Sequence, residues 1–304
     1  MKLRAKDSRR FIRWSPAAWL SPITGWMLIF YALPVGYIFL VSFMSMENYR
    51  LVPDWNWQNY WYILSQAMYH KAYFTSLWLS ARVVILTTLI AYPLSYALAF
   101  AVPKRWRLII LVAIIAPFWT NYLVRAYSWQ IILANKGILN YLLLSIGIIR
   151  EPLEILYTHT ATTIGLIHYL LAIMTLNLYT TLENIDKKLL DAAQDLGAGP
   201  WQTFWRVTLP LSSGGLITGA MFIFVLSFAD YVSPSVLGGQ TQRVFPQLVV
   251  DAVQWNINWP LASAFAVIMV ATILLVLALL SRWLTVGKLT EGGYSKSKKG
   301  AATF

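Results

Sequence analysis

Six long stretches of this sequence are almost free of charge, and each exceeds the ~20 apolar residues that a helix needs to cross a ~30 Å hydrocarbon core. They run roughly over 17–46, 73–102, 108–134, 156–181, 208–237 and 257–281, with Arg82 and Arg125 inside the second and third and Asp230 inside the fifth. Within a bilayer the backbone has to satisfy its own hydrogen bonds, so only helices and closed barrels span it. Runs of this length predict an all-α integral membrane protein with six transmembrane helices. Composition agrees, because only 12% of the 304 residues are charged, against about a quarter in an ordinary soluble domain. The first run follows Lys2, Arg4, Lys6, Arg9, Arg10 and Arg13, as a signal peptide would, yet its apolar stretch is far longer than a signal-peptide core. It is read as an uncleaved helix. The chain then divides into a basic arm over 1–16, one six-span bundle over 17–281 and a basic tail over 282–304.

Basic residues set the expected orientation. With an even number of spans both termini share a side. That side also carries the turn with Lys104, Arg105 and Arg107 and the loop with Lys187, Lys188 and Arg206, while the other side has only Arg50, Lys71, Lys136, Arg150 and Arg243. Lysine and arginine accumulate in cytoplasmic loops, so both termini are expected in the cytoplasm of a bacterial inner-membrane protein. The net charge of +12 is absorbed by this asymmetry and needs no nucleic-acid partner. Trp55, Trp57, Tyr60, Trp61 and Tyr62 fit the headgroup level on the outer side. The apolar run 138–149 reaches only ~18 Å as a helix, too short to cross, and is read as an interfacial or re-entrant helix on that side.

Several chemistries have no home here. No cysteine is present, so disulfide, thiolate and cysteine-ligated metal chemistry are excluded. There is no phosphate-binding Gly-x-x-x-x-Gly-Lys-Ser/Thr loop and no His-Glu-x-x-His, and the histidines stand apart at His70, His159 and His168. The chain is therefore expected to be non-catalytic, with no metal site. An ion-gradient-driven secondary transporter is the rival of another class, but inverted repeats and clustered membrane acids are not apparent.

The connection between the fourth and fifth spans, 182–210, is more than a tether. Leu182, Ile185, Leu189, Ala193 and Leu196 recur at helical spacing and predict an amphipathic helix. Gly197 and Gly199 interrupt it, Pro200 suits the first turn of a second helix, and Trp201, Phe204 and Trp205 share one side of that helix. Leu209 and Pro210 then lead into the fifth span. This loop resembles the cytoplasmic signature of the inner-membrane components of binding-protein-dependent ABC importers: Glu-Ala-Ala, three residues, Gly, nine residues, Ile-x-Leu-Pro. Here the residues are Asp191, Ala192 and Ala193, then Gly197, then Val207, Leu209 and Pro210, with every spacing intact and two conservative replacements.

The resemblance implies the type I ABC importer permease fold, with the first short helix as a coupling helix that docks in a cleft of a partner ATPase. It also implies the partners: a second, non-identical permease, two ATP-binding cassette subunits that bind ATP and Mg, and a periplasmic substrate-binding protein, with membrane lipid around the permease itself. No cofactor is expected in this chain itself. Segments 117–129, 135–148 and 233–239 look like the polyamine-importer branch, whose cargo is putrescine or spermidine. Related branches carry opines, phosphonates or iron.

Ionisable residues within spans are functional candidates by default. Arg125 and Asp230 are expected toward the outer ends of the third and fifth spans, with Arg82 ~14 Å deep in the second. His168, near the middle of the fourth span, is expected to be a neutral imidazole bonded to a neighbouring helix. Asp230 admits two readings, a receiver for a cationic substrate or, preferred here, an ion-pair partner of Arg82 or Arg125. The Gly215–Gly219 spacing likewise fits close packing within the subunit or against a second permease.

Overall fold

The computed structural model describes residues 16–239 and 243–300. The basic arm over 1–15 lies outside the described residues. The first span comprises α1 (Pro16–Met27), a π-helical turn (Leu28–Ala32) and α2 (Leu33–Val41). Its large side chains from Leu20 to Leu40 are exposed, as suits a helix that faces hydrocarbon. The span ends sooner than the hydropathy suggests, because 45–52 form an antiparallel hairpin, β1 (Ser45–Glu47) with β2 (Arg50–Val52). Asn48 and Tyr49 both take positive φ in its two-residue turn. The amide of Asn59, on α3 (Gln58–Ser65), donates to the Ser42 and Met44 carbonyls and so ties off the helix end.

The second span, α4 (Ala67–Tyr96), continues through a π-helical turn to Ala101. The third run does not form one straight helix. It breaks by 97° between α5 (Lys104–Ile115), extended by a 3-10 turn to Trp119, and α6 (Tyr122–Leu133), which leads into α7 (Ile138–Ser145). The cause is local: Thr120 is extended, its hydroxyl donates to the Pro117 carbonyl, and the Asn121 side chain caps α6 by accepting from Leu123 N and Val124 N. Asparagine at that position starts a new helix more readily than it continues an old one.

The remaining elements are α8 (His159–Glu183), α9 (Lys187–Asp195), α10 (Pro200–Thr203), α11 (Leu209–Phe228), α12 (Val232–Leu237), α13 (Phe245–Gln254) and α14 (Trp259–Gly300). Among the described residues five helices are long and apolar enough to span, or six counting the bent pair. The fifth run, expected as one span over 208–237, stops at Phe228, and α12 is a separate short helix. The last helix, expected to end at 281, continues to Gly300.

The centre of the bundle is the α4, α8 and α11 packing, where Val83, Leu166, Leu170, Met174, Leu178 and Ile223 are fully buried. Buried hydroxyls stitch the helices together: Tyr92 with Ser212 at 2.7 Å, Tyr73 with Thr272 at 2.9 Å, and Ser95 donating to the Thr175 carbonyl at 3.1 Å. Gly215 and Gly219 of α11 face α8. A Cβ at Gly215 would meet the Thr181 side chain and lie 2.7 Å from the Asn177 carbonyl, and one at Gly219 would strike Met174 Sδ. The small-residue pattern at Gly215 and Gly219 therefore packs within this subunit. Gly215→Leu is expected to destabilise the bundle by about 1–3 kcal/mol through overpacking, read as lower membrane abundance and a lower melting temperature, whereas Gly214→Ala, with open space at its Cβ, should behave as the parent.

Candidate functional site

The loop 182–210 has a sharper construction than its hydrophobic spacing indicates. Leu182 and Ile185 belong to the end of α8 and the turn after it, and α9 starts only at Lys187, where the Asp186 carboxylate caps it by accepting from Lys188 N at 3.1 Å. The other end is a Schellman closure: Gly197 N donates to the Gln194 carbonyl at 2.8 Å and Ala198 N to the Ala193 carbonyl at 3.0 Å, with Gly197 at φ +84°. Glycine is favoured there by backbone conformation and not by crowding, because nothing lies within 4 Å of its Cβ position. Asp191 and Ala192 are exposed, Ala193 is half-buried, and Leu196 projects from the cap with 89% of its surface exposed.

Beyond the cap the chain makes no turn at Leu209 and Pro210. α10 passes through a π-helical turn (Phe204–Thr208), holding half-buried Val207, into α11 without a break, so Pro200–Phe228 is a single helix of 29 residues. The widened turn accommodates Pro210, which has no N–H to offer the preceding turn. Phe204 anchors this helix on α4, edge-on to Tyr92 at 5.5 Å and Tyr96 at 6.1 Å, while Trp201 and Trp205 stay largely exposed. Arg107, counted only as a basic turn residue from the sequence, is the fastener at this end. Its guanidinium donates to the Ala99 and Val102 carbonyls at the end of the second span and pairs with Glu183, at the end of α8, at 3.3 Å.

The intramembrane charges are arranged differently from the expectation. Asp230 is buried just past the end of α11 and caps α12, its Oδ1 accepting from Val232 N at 2.8 Å and Ser233 N at 3.3 Å. It forms no ion pair with Arg82 or Arg125; among the described residues the ion pairs are Arg107–Glu183 and Arg243–Asp251. Arg125 sits in the first turn of α6, beyond the break, and not deep in a continuous helix. It stacks over Tyr169 at 4.3 Å and Tyr122 at 5.1 Å and donates to the Pro117 carbonyl at 3.1 Å, bridging the break. Tyr122 joins this cluster to α12 through its 2.8 Å contact with Ser233 Oγ. Arg82 is elsewhere, beside Lys71, Trp78 and His159 in a small cavity of about 300 Å³. His168 makes no hydrogen bond through Nδ1 and instead lies edge-on to Trp129 at 5.4 Å.

At the end of the bundle opposite α9, a cleft of about 1040 Å³ opens between α6, α12 and α13. Tyr127, Tyr157, Tyr231 and Trp255 line it, together with Asp251, whose Oδ2 accepts from Arg243 at 3.2 Å. The sequence gives no hint of this site, because Asp251 stands in a connection between spans and its neighbours in space come from three separate segments.

Residues 91–286, a stretch from within α4 to within α14 that includes all of α8 to α11, match the family described as binding-protein-dependent transport system inner membrane component. The chain belongs to that family. It is 34% identical over 247 residues to the spermidine/putrescine transport system permease protein PotB of Haemophilus influenzae, with 81% of this chain and 85% of that protein covered. The protein of the same description from Escherichia coli is also 34% identical, over 86% of this chain and 94% of its own length. The fold matches that of a bacterial ABC transporter involved in the import of the acidic polysaccharide alginate, with a TM-score of 0.69 at 16% identity over 87% of this chain and 93% of that one. A crystal form of the MetNI methionine ABC transporter matches at 0.52 and 15% identity, covering 70% of this chain and 93% of that one.

The permease is thus a non-catalytic, multi-pass inner-membrane subunit of the type I ABC importer fold. Two substitutions test its local geometry. Gly197→Val places a branched residue in the left-handed region at a cost of ~1–2 kcal/mol and should uncouple uptake, while Gly197→Asn, which tolerates that conformation, should retain most of it. Asp230→Ala removes the cap of α12, worth about 1 kcal/mol, and should lower thermal stability, whereas Asp230→Asn keeps an accepting oxygen and should match the parent.

Proposed function

We propose that this permease carries a polyamine, putrescine or spermidine, across the inner membrane, driven by ATP that partner subunits hydrolyse. The observation that carries the reading is the 34% identity to spermidine/putrescine permeases over four-fifths or more of the chain. The cleft fits a cationic cargo, because aromatic faces attract ammonium groups and one carboxylate stands among them.

The motion is transmitted from the other end. An ATP-binding cassette subunit receives α9 in its cleft, with Asp191 and Ala192 on the exposed face and Leu196 as an apolar tip. Two such subunits, a second, non-identical permease and a periplasmic binding protein complete the importer. Displacement of α9 acts on the Pro200–Phe228 helix, ~44 Å long, whose near end is held to α4 by Phe204 and whose far end adjoins the Asp230 cap and the cleft. Both termini and α9 lie in the cytoplasm, in keeping with the excess of basic residues on that side.

A strain lacking its own polyamine importers and expressing the complete transporter should accumulate radiolabelled putrescine or spermidine, and failure to do so with an intact, ATP-hydrolysing complex would refute the assignment. Leu196→Asp puts a charge where the partner ATPase is held to receive an apolar side chain. It should leave the permease in the membrane while the ATPase no longer copurifies. Reporters fused after Lys296 and within 182–200 should both read cytoplasmic.

A further inference from the structure

The cleft between α6, α12 and α13 contains a carboxylate that is already neutralised. Asp251 and Arg243 are 3.2 Å apart, with side chains 31% and 53% exposed, so the pair is open to water. We propose that this pair is an exchange site for an alkylammonium group: the incoming ammonium takes the place of the Arg243 guanidinium on Asp251 and rests against the surrounding aromatic rings. The proposal deepens the polyamine reading and rests on it.

Three features carry it. The first is that Arg243 is not needed to place α13. That helix is fixed from its other face, where Phe245 N donates to Ser76 Oγ at 2.7 Å and the Phe245 ring packs edge-on to Tyr73 and Phe265. Its first turn is closed by Gln247 Oε1, which accepts from Val244 N at 2.9 Å. Leu248 and Ala252 are buried on the same side. Loss of the ion pair leaves all of these contacts in place.

The second feature is energetic. Exposed ion pairs are weak, so a second cation exchanges with the guanidinium at little cost. An unpaired carboxylate ringed by aromatic faces would instead hold a multiply charged amine and slow its release. Arg243 acts as a built-in competitor that keeps the site weak, so that a cargo which enters it can also leave it.

The third feature is the lining. Tyr127, Tyr157, Tyr231 and Trp255 are each about half exposed or more, and Trp offers the strongest face for a cation. Gln254 lies one turn beyond Asp251 on the same face of α13 and lines the cleft as well, an uncharged acceptor for a second amine of the same chain.

The test compares Arg243→Gln, Asp251→Asn and Asp251→Glu in the complete importer, purified into lipid nanodiscs, by equilibrium binding of radiolabelled spermidine without the binding protein. Exchange predicts shifts of opposite sign. Arg243→Gln should bind about fivefold more tightly, the upper range for releasing an exposed pair, and should turn over more slowly. Asp251→Asn should bind more weakly by at least as much, and Asp251→Glu should restore binding. A purely structural strut predicts that both halves of the broken pair shift binding and abundance in the same direction, and that result overturns the inference. Unchanged binding in every variant, with spermidine uptake by the parent intact, also overturns it and leaves the polyamine reading standing. A parent importer that neither binds nor transports any polyamine removes the substrate reading and the exchange site together.

Discussion

The close approach of α11 to α8 is the contact on which the rest of the structure depends. At Gly215 and Gly219 the two helices meet with no room for a side chain, and Thr181, Asn177 and Met174 occupy the space that a Cβ would take. Between lipid-soluble helices no hydrophobic gain drives association, so dispersion contact and a few interhelical hydrogen bonds have to hold the bundle. The seam fixes the long Pro200–Phe228 helix along its middle. Its two ends are then placed by smaller devices, Phe204 against α4 at one end and the Asp230 cap at the other. The chain's two regions of interest, the α9 element and the aromatic cleft, are joined through this one helix.

Much of this was legible in the sequence. Lipid forbids unpaired backbone, so apolar run length translates almost directly into spans, and four of the six runs correspond to helices that begin or end within several residues of the hydropathy limits. The two-helix form of the loop 182–210 was readable at its Gly197 bend, where the left-handed backbone ends α9, but not at its start: the hydrophobic spacing ran back to Leu182, whereas the Asp186 cap starts α9 at Lys187. Breaks inside apolar runs were less visible. Hydropathy cannot distinguish Phe228 followed by an aspartate cap from a helix that merely contains an aspartate. The signal at Asn121 was present, an N-cap residue shortly after Pro117, but it lay within a run whose length already explained it.

The charged residues show why depth along a helix is a poor guide to partnership. Asp230 and Arg125 stand close in the fold, on either side of Tyr122, yet form no direct ion pair. Each has been given backbone work: the carboxylate accepts from two N–H groups of α12, and the guanidinium donates to the Pro117 carbonyl at the break in the third span, which also accepts from Thr120. A helix interrupted in the membrane leaves such groups to be satisfied, and a charged side chain does so more strongly than a neutral one. The ion pair that does form near the cleft, Arg243 with Asp251, is the more exposed one.

The first helix has a different standing from the others. From Leu20 to Leu40 its large side chains are exposed over most of their surface; α2 runs alongside α14, and its end is held where Asn59 donates to the Ser42 and Met44 carbonyls and Ser42 bonds the Tyr60 hydroxyl. Its packing against the bundle is confined to α2 and the residues that follow it, whereas α1 faces outward. The first span is also the apolar run that stands next to the densest group of basic residues in the sequence, and flanking lysine and arginine bias the direction in which a helix enters the bilayer. Selection can therefore act on the flanking charge and on the outward-facing α1 almost independently of the packing that holds α4, α8 and α11 together.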